Sequence, residues 1–175
     1  MANITEFRNA LKSGVLRQHK WQVLVNFPDF AGNNDNVRQA SLLARTAATP
    51  ASNLGVIEVM WGGRLLPLPG DRTYEEFTVT FIGVNDMNVR NAFERWSENI
   101  NGSQSNTGIV NPEDFVKDLQ FDLMNINDEI VKTYTLKDAF PSIVSGMDMD
   151  AGSQDSFAEF TVTFRYINYE SNTTL

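Results

Sequence analysis

Six residues occur twice in this chain, as Glu76-Phe77-Thr78-Val79-Thr80-Phe81 and again as Glu159-Phe160-Thr161-Val162-Thr163-Phe164. In each copy, aromatic and β-branched residues alternate with Glu and Thr at period two. That spacing predicts a strand buried on one face only, with Phe77, Val79 and Phe81 inward and Glu76, Thr78 and Thr80 outward. The second copy carries its alternation on through Arg165, Tyr166, Ile167, Asn168 and Tyr169. A half-buried strand needs no threonine row on its outer side. Two such rows suggest that these polar faces do something besides meet bulk solvent. Outside the hexapeptide the two halves share no register, so a duplicated strand is tenable and a repeat architecture is not.

The rest of the chain reads as more strands and one strong helix. Trp21, Val23, Val25 and Phe27 share one face of a strand expected over 19–27, and 28–36 is a turn-rich loop. Ala40, Leu42 and Ala44 alternate with Ser41, Leu43 and Arg45, which predicts a strand over 37–49, although alanine is a poor strand former. Residues 54–61 form the next strand, and Gly62-Gly63 is a two-residue hairpin turn into Arg64-Leu65-Leu66. Pro67, Pro69, Gly70 and Asp71 form a breaker cluster expected to end that strand. A hairpin apolar on both faces is an aggregation hazard in water. Trp61, Leu65 and Leu66 are therefore read as contacts to a neighbouring subunit.

After Gly83, Asn85 or Asp86 can cap a helix over about 88–100. Val89, Ala92, Phe93, Trp96 and Ile100 recur on one side and Arg90, Glu94, Arg95 and Glu98 on the other. Core packing explains that stripe better than a cofactor box. A polar loop over 101–108 precedes a single turn opened by Asn111-Pro112. Strands over 115–124 and 129–136 form a hairpin turning at Asn127-Asp128. Ala139-Phe140-Pro141-Ser142 is expected to break the pattern, Ile143-Val144 to add a short strand, and 147–155 to be a loop. At the N-terminus, Ile4, Phe7 and Leu11 stripe a short helix over 5–12 that Gly14 ends. Residues 1–14 are either a frayed terminus or an arm whose Phe7 and Leu11 dock on a neighbouring subunit. The fold expected is mainly β, one domain over 1–175, an antiparallel sandwich or barrel with one flanking amphipathic helix.

Chemistry is hard to find. With no cysteine, disulfides and thiolate metal sites are excluded. No apolar run approaches a membrane span, and 1–13 lack a signal-peptide core, which points to a cytoplasmic site of synthesis. Asp148, Asp150 and Asp155 have calcium-loop-like spacing but lack the third early oxygen ligand and the terminal glutamate. His19, the only histidine, precedes a strand; Ser41 or Ser142 can be written into a triad with it, but no nucleophile elbow is present. Glu75 and Glu76 point to opposite faces of a strand and cannot form a carboxylate dyad. There is no phosphate loop and no dinucleotide fingerprint. The sequons at Asn3, Asn101 and Asn172 matter only in a secretory context. No cofactor and no enzyme activity are expected. A net charge of −8 argues against tight nucleic-acid binding. It keeps the protein soluble, or lines a channel that a polyanion must cross without sticking.

The run Gly70-Asp71-Arg72-Thr73-Tyr74-Glu75-Glu76-Phe77-Thr78-Val79-Thr80, followed by a helix bearing Phe93 and Trp96, resembles the tail tube protein of T-even-like contractile-tailed bacteriophages. The closing stretch from Asp155 to Glu170 is similar to the last strand of that family, and the resemblance spans about residues 15–170. It implies a β-barrel-like protomer that closes edge to edge into hexameric rings. The rings stack into an inner tube through which the genome leaves the capsid. It also implies sheath and baseplate or tube-initiator proteins as partners, a place in the virion tail, and assembly in the host cytoplasm. On this basis Glu76, Thr78, Thr80, Glu159, Thr161 and Thr163 are candidates for the lumen wall, with the exterior as the alternative for that face. Arg72 either stabilises its own turn or reaches a carboxylate on an adjacent protomer. Within the resemblance, the tube of a phage-derived injection machine or a tube initiator is the alternative. Outside it stands a monomeric carbohydrate-binding β-sandwich with Trp21, Trp61 and Tyr74 as an aromatic platform.

Overall fold

The computed structural model describes residues 3–174. The two hexapeptides are neighbours: β5 (Phe77–Ile82) pairs antiparallel with β8 (Glu159–Arg165), placing Thr78 opposite Thr163, Val79 opposite Val162 and Thr80 opposite Thr161. Their apolar residues point into the core, where Phe77, Val79, Phe81, Phe160, Val162 and Phe164 are all buried. β2 (Ala44–Ala47) flanks β5, and β7 (Ile130–Val144) flanks β8.

β7 is the strand that joins the two layers. Its first half pairs with β6 (Lys117–Met124) and β9 (Asn168–Ser171), its last residues with β8, and β1 (Trp21–Val25) closes the far edge against β6. The continuous order is β1-β6-β7-β8-β5-β2. The bend sits at Lys137 and Asp138, where the pairing with β6 shifts register and Asp138 has φ +53°. A bulge increases local twist and turns a strand. The Asp118 carboxylate pins this one, accepting from Lys137 Nζ at 2.8 Å and the Asp138 amide at 3.2 Å. The same bond holds the Lys137 ammonium above its usual range.

Four expectations need correction. The strand predicted over 37–49 is instead helix α2 (Asn34–Leu43) followed by the short β2. Asn33 and Asn36 cap each other's backbone reciprocally, and Val37, Ala40 and Leu43 recur at helical spacing against the core. The cluster at Pro67–Asp71 does not end a strand, because β4 (Arg64–Tyr74) runs through it with a register shift at Gly70 and Asp71. Ala139–Ser142 does not break β7; Ser142 Oγ donates to the Thr163 carbonyl at the register shift beside Pro141. The alternation from Arg165 to Tyr169 is not one strand either. The chain steps off β8 at Tyr166 and Ile167, and β9 then pairs with the other half of β7.

The expected amphipathic helix is α3 (Asn88–Ile100), but its N-cap position is Met87, at φ +52° and without a side-chain capping bond, rather than Asn85 or Asp86; Asp86 Oδ1 accepts from the Asn88 amide. Phe93 meets the rings of Phe27, Phe81 and Phe164 at 4.9, 5.3 and 5.8 Å, and Trp96 donates Nε1–H to the Phe115 carbonyl at 2.7 Å. That carbonyl closes α4 (Pro112–Phe115), the single turn opened by proline. α1 (Ile4–Ala10) begins with an Asn3–Glu6 capping box and buries none of its residues. Residues 1 and 2 of the expected arm lie outside the described residues.

On the outer face of β1-β6-β7, Asp122 is fully buried without a cation. It accepts from Gln22 Nε2 at 3.0 Å, Gln120 Nε2 at 2.9 Å and Thr133 Oγ1 at 2.7 Å, tying three strands together. Asp122→Ala leaves those donors unpaired and is expected to cost about 3 kcal/mol. Equilibrium urea unfolding of the subunit checks this, and an unchanged midpoint would remove the network from the stabilising interactions.

Candidate functional site

Two surfaces remain unexplained by the needs of the protomer: the polar face of β5-β8 and the hairpin over residues 52–74. On the first, register brings the two threonine rows together. Thr78 and Thr163 hydroxyls lie 3.3 Å apart, Thr80 and Thr161 hydroxyls 3.4 Å, long for strong hydroxyl hydrogen bonds. Thr78 is exposed and the others are half-buried or nearly buried by their neighbours across the strands. Thr46 of β2 lies opposite Thr80 and Ile143 of β7 opposite Thr163, which widens the surface to four strands.

The carboxylates of this face are not free. Glu76 pairs with Arg165 at 2.5 Å, and Glu159 pairs with Arg45. Arg45 sits at the register shift between Ala44 and Thr46, and its guanidinium also lies 5.1 Å from the Phe157 ring centroid. All six residues expected on this face are therefore brought together, but as a threonine surface bounded by closed ion pairs rather than as a negative wall. Sequence reading missed Arg45 and Arg165. Nothing local marks them, because their partners come from strand pairing.

The second surface is the hairpin of β3 (Ser52–Trp61) and β4, a two-stranded sheet separate from the main one. Gly62 and Gly63 have φ +56° and +76°, the pair of positive values that a type I′ turn requires. Trp61 and Arg64 close that turn. Counting alternate pairs from them places Pro67 and Pro69 at non-hydrogen-bonded sites, so their missing N–H groups face the free edge and cost the ladder nothing. At about 3.3 Å per residue the hairpin reaches roughly 30 Å.

Pairing sorts its side chains into two apolar faces. Ile57, Val59, Trp61, Leu66 and Leu68 share one, while Val56, Met60 and Leu65 share the other with Pro67 and Pro69. Nearly all are exposed, Trp61 at 82% and Met60 at 69%. Trp61 and Leu66 thus lie together, and Leu65 lies behind them. Arg72 is at the hairpin base, where its Nη1 reaches only Ser52 Oγ at 3.4 Å, and no carboxylate of the described residues pairs with it. Phe7 and Leu11 stand apart on α1, exposed. Trp21, Trp61 and Tyr74 form no common platform: Trp21 packs on Phe121 at the β1 edge, Trp61 is at the hairpin tip, and Tyr74 packs at its base.

That base is a tyrosine cluster. Tyr74 meets the rings of Tyr166 and Tyr169 at 6.0 and 5.6 Å, and Ser52 Oγ lies 3.4 Å from the Tyr169 hydroxyl. The Tyr166 hydroxyl is buried with no hydrogen-bond partner among the described residues, and burial pushes its pKa up to about 12. A phenol whose folded pKa is raised keeps its full stabilising contribution below pH 10 and loses it between pH 10 and 12. Alkaline titration followed by tyrosinate absorbance should show Tyr166 ionising last, with the hairpin base loosening over that window; Tyr166→Phe should abolish the late step.

Among the described residues, no cluster of three or more His, Cys, Asp or Glu stands ready for a metal, and no helix is long and apolar enough to cross a membrane. Comparison with known proteins points one way. Residues 15–172 match the family described as phage tail tube protein. The chain is 42% identical over 174 residues to the tail tube protein of Serratia phage KSP90, covering 98% of each chain. In fold it is similar to a chain of the anti-feeding prophage baseplate (TM-score 0.68, 19% identity, 90% of this chain and 95% of that one). It is also similar to a chain of the sheath–tube complex of the extracellular contractile injection system PVC (TM-score 0.57, 16% identity, 94% and 96%).

Proposed function

Because this chain belongs to the phage tail tube protein family, a structural component of the virion tail and not an enzyme, we propose that its two spare surfaces build the tube. The hairpin joins subunits, and the threonine face lines the lumen of a hexameric ring. The observation that carries this is the hairpin itself: roughly 30 Å of strand pair, apolar on both faces, packed on nothing among the described residues of its own protomer beyond its base. Monomers rarely expose contiguous apolar surface on that scale, and a neighbour covering it converts the hazard into binding energy.

Ring closure uses the edges of the four-stranded layer β2-β5-β8-β7, whose unpaired backbone groups join those of the next copy. The polar face then looks into the pore and the core face stays packed beneath α3. Arg72 pairs with a carboxylate of an adjacent protomer, and Phe7 and Leu11 on the 1–14 arm add a further contact. Stacked rings conduct double-stranded DNA past a wall without free cations. Sheath, baseplate and tube-initiator proteins are the other partners; the similar folds come from a baseplate and from a sheath–tube complex.

Negative-stain electron microscopy of the purified subunit across a concentration series, with light scattering on the same samples, is the direct test. Rings or hollow filaments with a central pore are expected. A sample that stays monomeric even with a baseplate nucleus present would overturn the assignment.

A further inference from the structure

We propose that the cleft between α2 and α3 is a docking site for the acidic loop 147–155 of a second copy of this chain, an inference that rests on the tube assembly above. The cleft, of about 600 Å³, is lined by Arg38, Arg95 and Leu42 together with the amide side chains of Asn36, Gln39 and Asn88. Arg95 Nε is used on the Ala31 carbonyl at 2.9 Å; otherwise, among the described residues, neither guanidinium meets a hydrogen-bond or salt-bridge acceptor. Gln39 Oε1 is buried with no partner. Asp35 is the one acid on the lining, and it pairs with neither arginine. Both arginines are exposed, and in a chain of net charge −8, where carboxylates outnumber cations 22 to 14, they make this cleft a local concentration of positive charge with no salt-bridge partner among the described residues. Guanidinium groups select carboxylates or phosphates.

Placement favours the carboxylate. α3 packs on the core side of β5 and β8, so the cleft lies on the far side of that layer from the threonine face and off the path of DNA. The chain carries a matching segment. Asp148, Met149 and Asp150 project from the β7–β8 loop, all exposed, with Met149 at 71% and Leu42 in the cleft at 73%. An acid–apolar–acid loop thus matches in chemistry a cleft that carries two arginines and Leu42. Within its own protomer the loop is tied elsewhere, by Arg90 Nη1 to the Ser145 carbonyl and by the Gly83 amide to the Ala158 carbonyl.

The absence of cysteine makes the test clean. Leu42→Cys with Met149→Cys leaves every proposed charge in place. In tubes imaged before oxidation, the pair is expected to give a disulfide ladder between copies, while neither single variant does. Imaged tubes with no ladder, or a disulfide closed within one copy, would overturn the docking and leave the tube assignment intact. The second arm exchanges charge. Arg38→Asp with Arg95→Asp should raise the concentration needed for assembly at least about tenfold, the loss of one charge-assisted contact. Adding Asp148→Arg and Asp150→Arg should restore it. Circular dichroism confirms that each variant is folded, and a double exchange that fails to restore assembly refutes the pairing.

Discussion

Ile57→Asp together with Leu66→Asp is expected to leave the subunit folded and stop polymerisation. Both side chains lie on the same face of the hairpin, diagonal rather than opposite, so the new carboxylates do not confront each other within the protomer. Both are more than half exposed, and neither is part of the core, so the unfolding free energy should change by less than about 0.5 kcal/mol. Assembly is another matter. Each buried leucine or isoleucine contributes about 1.5–3 kcal/mol, and an unpaired carboxylate taken from water costs more. A loss of at least about 4 kcal/mol per contact lowers the association constant roughly a thousandfold. Sedimentation should show monomer at every accessible concentration. Met60→Asp with Leu65→Asp probes the opposite face, and if only one of the two pairs blocks assembly, the hairpin is covered on one side alone. Normal filaments from both would remove it from the interface.

The strand elements with strict alternation were legible, and so was α3, because one-sided burial writes itself into local spacing. Phe77, Val79 and Phe81 need no partner to be read as one face. What escaped was decided by neighbours. Residues 37–43 alternate well enough for a strand, yet Asn33 and Asn36 satisfy each other's amides and nucleate a helix. Pro67 and Pro69 break strands in general, but not at alternate positions of a free edge. The bend that lets β7 serve both layers depends on Asp118, twenty residues upstream of Asp138. The same holds for the candidate site: the threonine rows were visible, whereas Arg165 beside Glu76 and Arg45 beside Glu159 follow from β5 pairing with β8 and from the bulge in β2. Loss of the expected negative charge changes the physics of the face. On the lumen assignment, repulsion of a polyanion would not come from carboxylates already neutralised at contact distance, and easy passage would rest on the lack of free cations.

That distinction gives the lumen assignment a sharp consequence. Thr78→Lys with Thr161→Lys is expected to assemble normally and to block or greatly slow DNA ejection. Thr78 is exposed, and a lysine at half-buried Thr161 can lay its stem along the strand and lift its ammonium clear. The two positions are diagonal across β5 and β8, which limits their mutual repulsion. In a hexamer they place twelve ammonium groups around every ring, on the order of one new phosphate contact each. Binding through phosphate contacts is nearly independent of sequence and weakens steeply with salt. Ejection should therefore slow by at least about tenfold at low ionic strength and recover as salt rises. Thr78→Glu with Thr161→Glu, of the same length class but opposite charge, should eject normally, which separates charge from bulk. Particles that eject the lysine variant at the unmodified rate would move the threonine face to the exterior of the tube, where the same lysines would alter the fit of a surrounding sheath instead.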